Sequence, residues 1–183
     1  QVTNLKAKGG AGVVLDVRTG EITALASFPT FNPNNPGAAP KPAVTEDGKQ
    51  LPGPFFNRVT SAAYELGSTF KPITVAAAID SGTVTSMGKK FDATQPLQID
   101  GFKIHDHDGE GRWLDIPETL IHSSNIATAR IADELGGDKL SAMFRSMGFD
   151  KPMPFELPAR GRTLFPQKFS RVTTMTAGFG HGV

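Results

Sequence analysis

The chain contains no cysteine. That excludes a disulfide framework, a thiolate metal site and a cysteine nucleophile. It suits an oxidising compartment without requiring one. Net charge is also nearly absent: 19 basic residues against 18 acidic ones leave +1. A polyanion-binding surface is therefore not indicated, and nucleic acid is not an expected partner. No apolar run approaches the roughly 18 residues that cross a bilayer. Candidates such as Val75 to Ile79 are short. Internal repeats are missing, and no glycine-rich phosphate loop precedes a suitable helix, so nucleotide binding has no support.

The 183 residues suffice for one ordinary domain with a real core. Apolar residues at 38% and charged residues at 20% exclude a disordered tail and a coiled coil. The sequence opens at Gln1 without Met or a leader profile and closes on Gly-Phe-Gly-His-Gly-Val. Both ends read as cut points in a longer protein. Glycine and proline are in excess locally. Seven of the 14 prolines fall between Pro29 and Pro54, and four more between Pro152 and Pro166, which predicts irregular segments there.

Gly12 to Val17 and Ile22 to Phe28 are apolar and flank the polar turn Arg18-Thr19-Gly20-Glu21. They predict an antiparallel hairpin. Because nearly every position is apolar, both of its faces are expected to be covered. A loop over 31–54 follows, of a length that is usually functional or disordered. Phe55 to Tyr64 has room for a short helix. Ser68 to Ser81 is apolar almost all round and predicts a buried helix closed by Gly82. Pro72 is tolerable only near a first turn, so the helix should begin close to Ser68. Pro96 to Ile104 predicts a small hairpin around Asp100-Gly101.

Three further helices are expected. Asp115 to His122 is the first, with Pro117 near its start. Ser124 to Leu135 is amphipathic, with Ile126, Ala129, Ile131, Ala132 and Leu135 inward, and Gly136-Gly137 stops it. Asp138 to Met147 follows, capped by Asp138 and ended by Gly148. Two long apolar strands are too few to support the buried helix. Further strands of the domain are expected beyond Val183.

Ser68 and Lys71 stand three apart at the start of the buried helix, a spacing that puts both side chains on one face. The free N–H groups and positive potential of a helix N-terminus favour an alkoxide at Ser68 and disfavour a charged Lys71. A lysine made partly neutral by burial could take the serine proton. The residues alone leave open a capping serine beside a solvated lysine. Ser123-Ser124-Asn125, opening a later helix, reads as a cap or as a proton relay at Ser123 with a substrate-holding amide at Asn125.

His105-Asp106-His107-Asp108 alternates, which splits possible metal ligands between two sides of an extended segment. It reads as a polar hairpin tip. His181 in its glycine-rich stretch reads as structural, and Trp113 as a local packing anchor.

Tyr64 to Pro72 (YELGSTFKP) resembles the nucleophile segment of penicillin-binding protein transpeptidase domains, and His122-Ser123-Ser124-Asn125 resembles their Ser-x-Asn motif. Gly12 to Asn34, Phe55 to Arg58 and Thr176 to Gly182 resemble further family segments in the same order. The details look most like class B enzymes of the division type. The Lys-Thr-Gly motif on a strand beside the nucleophile is not in the sequence. The nearest match, Arg18-Thr19-Gly20, precedes the Ser-x-x-Lys and reads as a turn, so the site is expected to be incomplete in this chain.

The resemblance implies an α+β fold, an antiparallel sheet flanked by helices with its C-terminal strands missing. Residues 1–183 would form a partial transpeptidase domain, with 31–54 a loop within it. It further implies acyl transfer on peptidoglycan stem peptides ending in D-Ala-D-Ala, through Ser68, Lys71 and Ser123 as catalytic groups and Asn125 as a substrate-binding one. β-Lactams would acylate Ser68. No cofactor or metal is implied. The full protein would sit in the periplasm on an N-terminal membrane anchor and meet other cell-wall and division proteins. A serine β-lactamase and a non-catalytic β-lactam sensor of the same superfold are the alternatives.

Overall fold

The computed structural model describes residues 2–153 and 157–183. They fall into two compact units: Gln1–Ala63 with Met153–Arg162, and Tyr64–Pro152 with Thr163–Val183.

In the first unit, strands β1 (Gly10–Leu15) and β2 (Ile22–Phe28) form the expected antiparallel hairpin. The register runs from Gly10 opposite Phe28 to Val14 opposite Ala24, with a bulge before Leu15. Asp16 accepts the Arg18 N–H at 2.8 Å in the turn, a side-chain mimic of a backbone turn. Among the described residues the expected cover over both faces is not present. Five of the six β1 residues are exposed, and Val14 keeps 57% of its surface. Among the described residues the sheet has two strands, and a hairpin buries its side chains only where another layer lies on it.

Helix α1 (Arg58–Ser61), in the stretch expected to hold one, is capped by the Asn57 side chain, which accepts from the Val59 N–H. It is tied to the end of β2, where Ser27 Oγ donates to the Phe56 carbonyl and accepts from the Arg58 N–H at 3.0 Å. The 31–54 loop contains a 3-10 turn at Pro36–Ala38 and an isolated bridge between Val44 and Gln50.

The second unit is built on helix α2 (Lys71–Asp80), which continues directly from a 3-10 turn at Gly67–Phe70. Pro72 occupies the first turn, where a missing N–H costs nothing. Two short antiparallel pairs follow, β3 (Phe91–Asp92) with β6 (Trp113–Leu114), and β4 (Leu97–Ile99) with β5 (Phe102–Ile104). Asp100 and Gly101 join the latter pair with φ of 46° and 83°, as a tight mirror-type hairpin turn demands.

Helix α3 (Ile116–Ile121) starts from a reciprocal cap between Asp115 and Glu118. Helices α4 (Asn125–Leu135), α5 (Gly137–Ser146) and α6 (Arg171–Gly178) complete the unit. The five α4 residues expected inward are all buried. Helix α5 differs from expectation at its start: Gly136, with φ of 85°, reverses the chain in one residue, so α5 begins at Gly137 and Asp138 lies in its first turn instead of capping it. Trp113 is 52% exposed and is not the packing anchor expected, because its two-residue strand pairs with β3 on one edge and leaves the ring outside.

The core of this unit comprises two clusters. Val75, Ala78, Leu114, Ile126, Ile131 and Met175 belong to one. Phe70, Ala132, Leu140, Phe144 and Ala177 belong to the other, where the Phe70 and Phe144 rings meet edge-on at 5.1 Å. Small residues let α4 and α6 approach closely: a Cβ placed at Gly178 would lie 2.6 Å from that of Ala132. The buried Thr74 hydroxyl donates to the Gly178 carbonyl at 2.7 Å, so α2 is hydrogen-bonded to α6 as well as packed in the same core. Helices and small antiparallel sheets together give the α+β class expected from the sequence.

Candidate active site

Ser68 lies exposed in the 3-10 turn that opens α2, and Lys71 is the first residue of the α-helical stretch. In 3-10 geometry residues three apart eclipse one another, and Ser68 precedes Lys71 by that spacing. Gly67, with φ of 56°, redirects the chain into it. The Gly67 N–H donates to the Gly180 carbonyl at 3.1 Å. A Cβ at position 180 would overlap the Gly67 carbonyl oxygen, so only glycine permits that approach. The Glu65 carboxylate ties the same two segments together, accepting from the Gly182 N–H at 3.0 Å and lying 3.1 Å from His181 Nδ1. His181 thus has the structural setting expected of it.

Lys71 is 2% exposed. Its Nζ donates to Ser123 Oγ at 2.9 Å and to the Ser123 carbonyl oxygen. Both oxygens converge because Ser123, between α3 and α4, adopts φ of 51°. A non-glycine residue pays about 1–2 kcal/mol for that conformation, and such strain gathers at functional sites. Burial lowers the Lys71 pKa to about 8, against the opposing pull of the Asp106 charge. A neutral Lys71 has two N–H bonds for the two Ser123 oxygens and one uncommitted lone pair, which is what a proton acceptor for Ser68 requires.

Asn125 opens α4 two residues after Ser123, and its Nδ2 donates to the His105 carbonyl at 3.0 Å. Ser124 caps α4, its Oγ accepting from the Ala127 N–H at 3.0 Å. The structure therefore joins Lys71 directly to Ser123, places Ser68 three residues before Lys71 in the 3-10 turn that opens α2, and fixes the Asn125 amide against a backbone carbonyl.

The penicillin binding protein transpeptidase domain family matches residues 10–183. The chain belongs to that family. It is 39% identical over 96% of its length to the probable peptidoglycan D,D-transpeptidase FtsI of Caulobacter vibrioides, and 31% identical over 97% to the peptidoglycan D,D-transpeptidase FtsI of Escherichia coli K12. It spans 28% of the length of each of these relatives. Among solved structures, the transpeptidase domain of Burkholderia pseudomallei penicillin-binding protein 3 superposes with a TM-score of 0.76 at 25% identity, over 99% of this chain and 47% of that one.

Within this transpeptidase-family chain, Arg18-Thr19-Gly20 forms the β1–β2 turn, with Arg18 beside Asp16. Sequence reasoning weighed Asp106 only as a split metal ligand. It accepts instead from Ser124 Oγ at 2.8 Å and from the Ile126 N–H at 3.0 Å. The signal for that role was hard to find, since local cap rules look within four residues and Asp106 acts across 18 and 20.

Proposed function

We propose that this chain is the nucleophile-bearing part of a division-type peptidoglycan D,D-transpeptidase. Ser68 Oγ attacks the carbonyl of the penultimate D-Ala of a stem peptide while its proton passes to neutral Lys71. The Ser68 N–H at the helix N-terminus stabilises the oxyanion. The amide C–N bond breaks as Ser123 relays a proton to the departing D-Ala amine. Asn125 holds the substrate amide. The amine of a second stem peptide then attacks the Ser68 ester, forming the cross-link and freeing the serine. A β-lactam reacts at the same carbonyl-equivalent position, and its opened ring stays esterified to Ser68. In this reading the full protein works outside the cytoplasmic membrane on an anchor, beside other division proteins. No cofactor is needed for any of these steps.

One observation carries the reading: a buried lysine, held by Ser123 and lowered towards neutrality, stands one 3-10 turn from an exposed serine at a helix start. The test is the intact mass of the full-length gene product carrying this sequence after exposure to benzylpenicillin. A stable adduct of one penicillin is expected on the wild type and complete loss of it in Ser68→Ala. An adduct that survives that substitution, or a folded wild type without one, would sink the reading. Fast turnover of the adduct would move the assignment to a β-lactamase.

A further inference from the structure

The segment leaving β5 holds three consecutive residues of the Ser-x-Asn region at once. The His105 carbonyl takes Asn125 Nδ2–H at 3.0 Å. Asp106 Oδ2 takes the Ser124 hydroxyl at 2.8 Å, and its Oδ1 takes the Ile126 N–H at 3.0 Å. The anchor is firm on both sides, since Ile104 is buried in the same core cluster as Ile126. Ser124 Oγ is itself engaged on both sides, donating to Asp106 while accepting the Ala127 N–H.

Ser123 immediately precedes this clamped run, in a left-handed conformation that must be imposed from outside. On its other side, α3 ends at Ile121 with His122 as its C-cap. We infer that Asp106 is a positioning residue for acylation, acting through Ser124 and Ile126 to hold Ser123 where its two oxygens meet Lys71 Nζ. The same carboxylate is the charge that opposes the burial effect on Lys71. Neither effect needs contact with substrate.

The inference rests on the acylation reading above. It is tested on the full-length gene product with a chromogenic cephalosporin in stopped flow, where a concentration series separates non-covalent dissociation from the acylation rate constant. Asp106→Ala should slow acylation about tenfold or more, because small misplacements of catalytic groups cost up to ~100-fold. The non-covalent dissociation constant should stay within about threefold. Asp106→Asn keeps an acceptor for the Ile126 N–H and a donor for Ser124 Oγ, so it should recover most of the rate. Asp106→Glu keeps the charge but shifts the oxygens by one methylene. It should fold and still be slow, which covers the case of an alanine variant that does not fold.

Wild-type acylation with an unchanged rate in Asp106→Ala or Asp106→Glu overturns this inference alone. So does an Asp106→Asn rate as low as the alanine variant's. A wild type that takes no adduct overturns the transpeptidase reading and this inference with it.

Discussion

The β1–β2 hairpin and helix α2 are both apolar along nearly their whole length, yet only the helix is buried. Val13, Val14 and Leu15 are all exposed, whereas Val75, Ala77 and Ala78 are enclosed. The difference is the number of neighbours. Helices α4, α5 and α6 share core clusters with α2, while among the described residues β1 and β2 have only each other as sheet partners. Apolar content thus states what a segment would bury, and the partners decide whether it does. The candidate active site stands on the enclosed side of that contrast. Lys71 loses its ordinary pKa because it starts a helix whose surroundings exclude water.

Substitutions should reproduce the contrast, and hydrogen exchange on the amides of α2, α5 and β1 reads each unit separately. The largest effect is expected at Phe144, which is fully buried against Phe70. Phe144→Ala should cost about 3–5 kcal/mol in the protection of α2 and α5, and a cost under 1 kcal/mol would mean that the aromatic cluster is not what encloses α2. Gly180→Ala comes next, at roughly 2–3 kcal/mol, since the new Cβ meets the Gly67 carbonyl in a left-handed backbone. It should also depress acylation of Ser68 through the displaced turn. Protection and acylation both unchanged would show that the Gly67–Gly180 contact does not brace the nucleophile. The smallest effect belongs to the hairpin: Val14→Ala should stay within about 0.5 kcal/mol, and a loss several times larger would reveal cover over β1 that the two-stranded sheet lacks.

Much of this was legible in the sequence because it depends on neighbours along the chain. The Arg18 to Glu21 and Asp100-Gly101 turns, the onset of α2 fixed by Pro72, and the inward face of α4 all follow from local turn chemistry and periodicity. The Ser68–Lys71 spacing was legible for the same reason. What escaped depends on contacts between distant segments. The β3–β6 pair has two residues a side, too short for any periodic signal. Helix α6 is rich in threonine and ends in glycine, a poor helix sequence by propensity, and is explained by the close packing that Ala177 and Gly178 allow. The Asp106 cap, the left-handed Ser123 and the Glu65–His181 tie likewise join residues far apart in sequence or conformations no single residue announces. The exposure of β1 was misjudged because its composition describes a fuller sheet than the one it sits in.

In the proposed mechanism Lys71 is a base that burial has brought within reach of neutrality. The measurement that tests this most directly is the acylation rate constant of Ser68 by a β-lactam as a function of pH, in the full-length gene product. A folded-state pKa of about 8, below the ordinary 10.5, leaves the lysine mostly protonated and inactive below that value and neutral above it. The rate should therefore climb about tenfold per pH unit up to about 8 and then level off. A rate that is flat from pH 6 to pH 9, or that keeps climbing towards 10.5, would contradict the assignment of Lys71 as the proton acceptor.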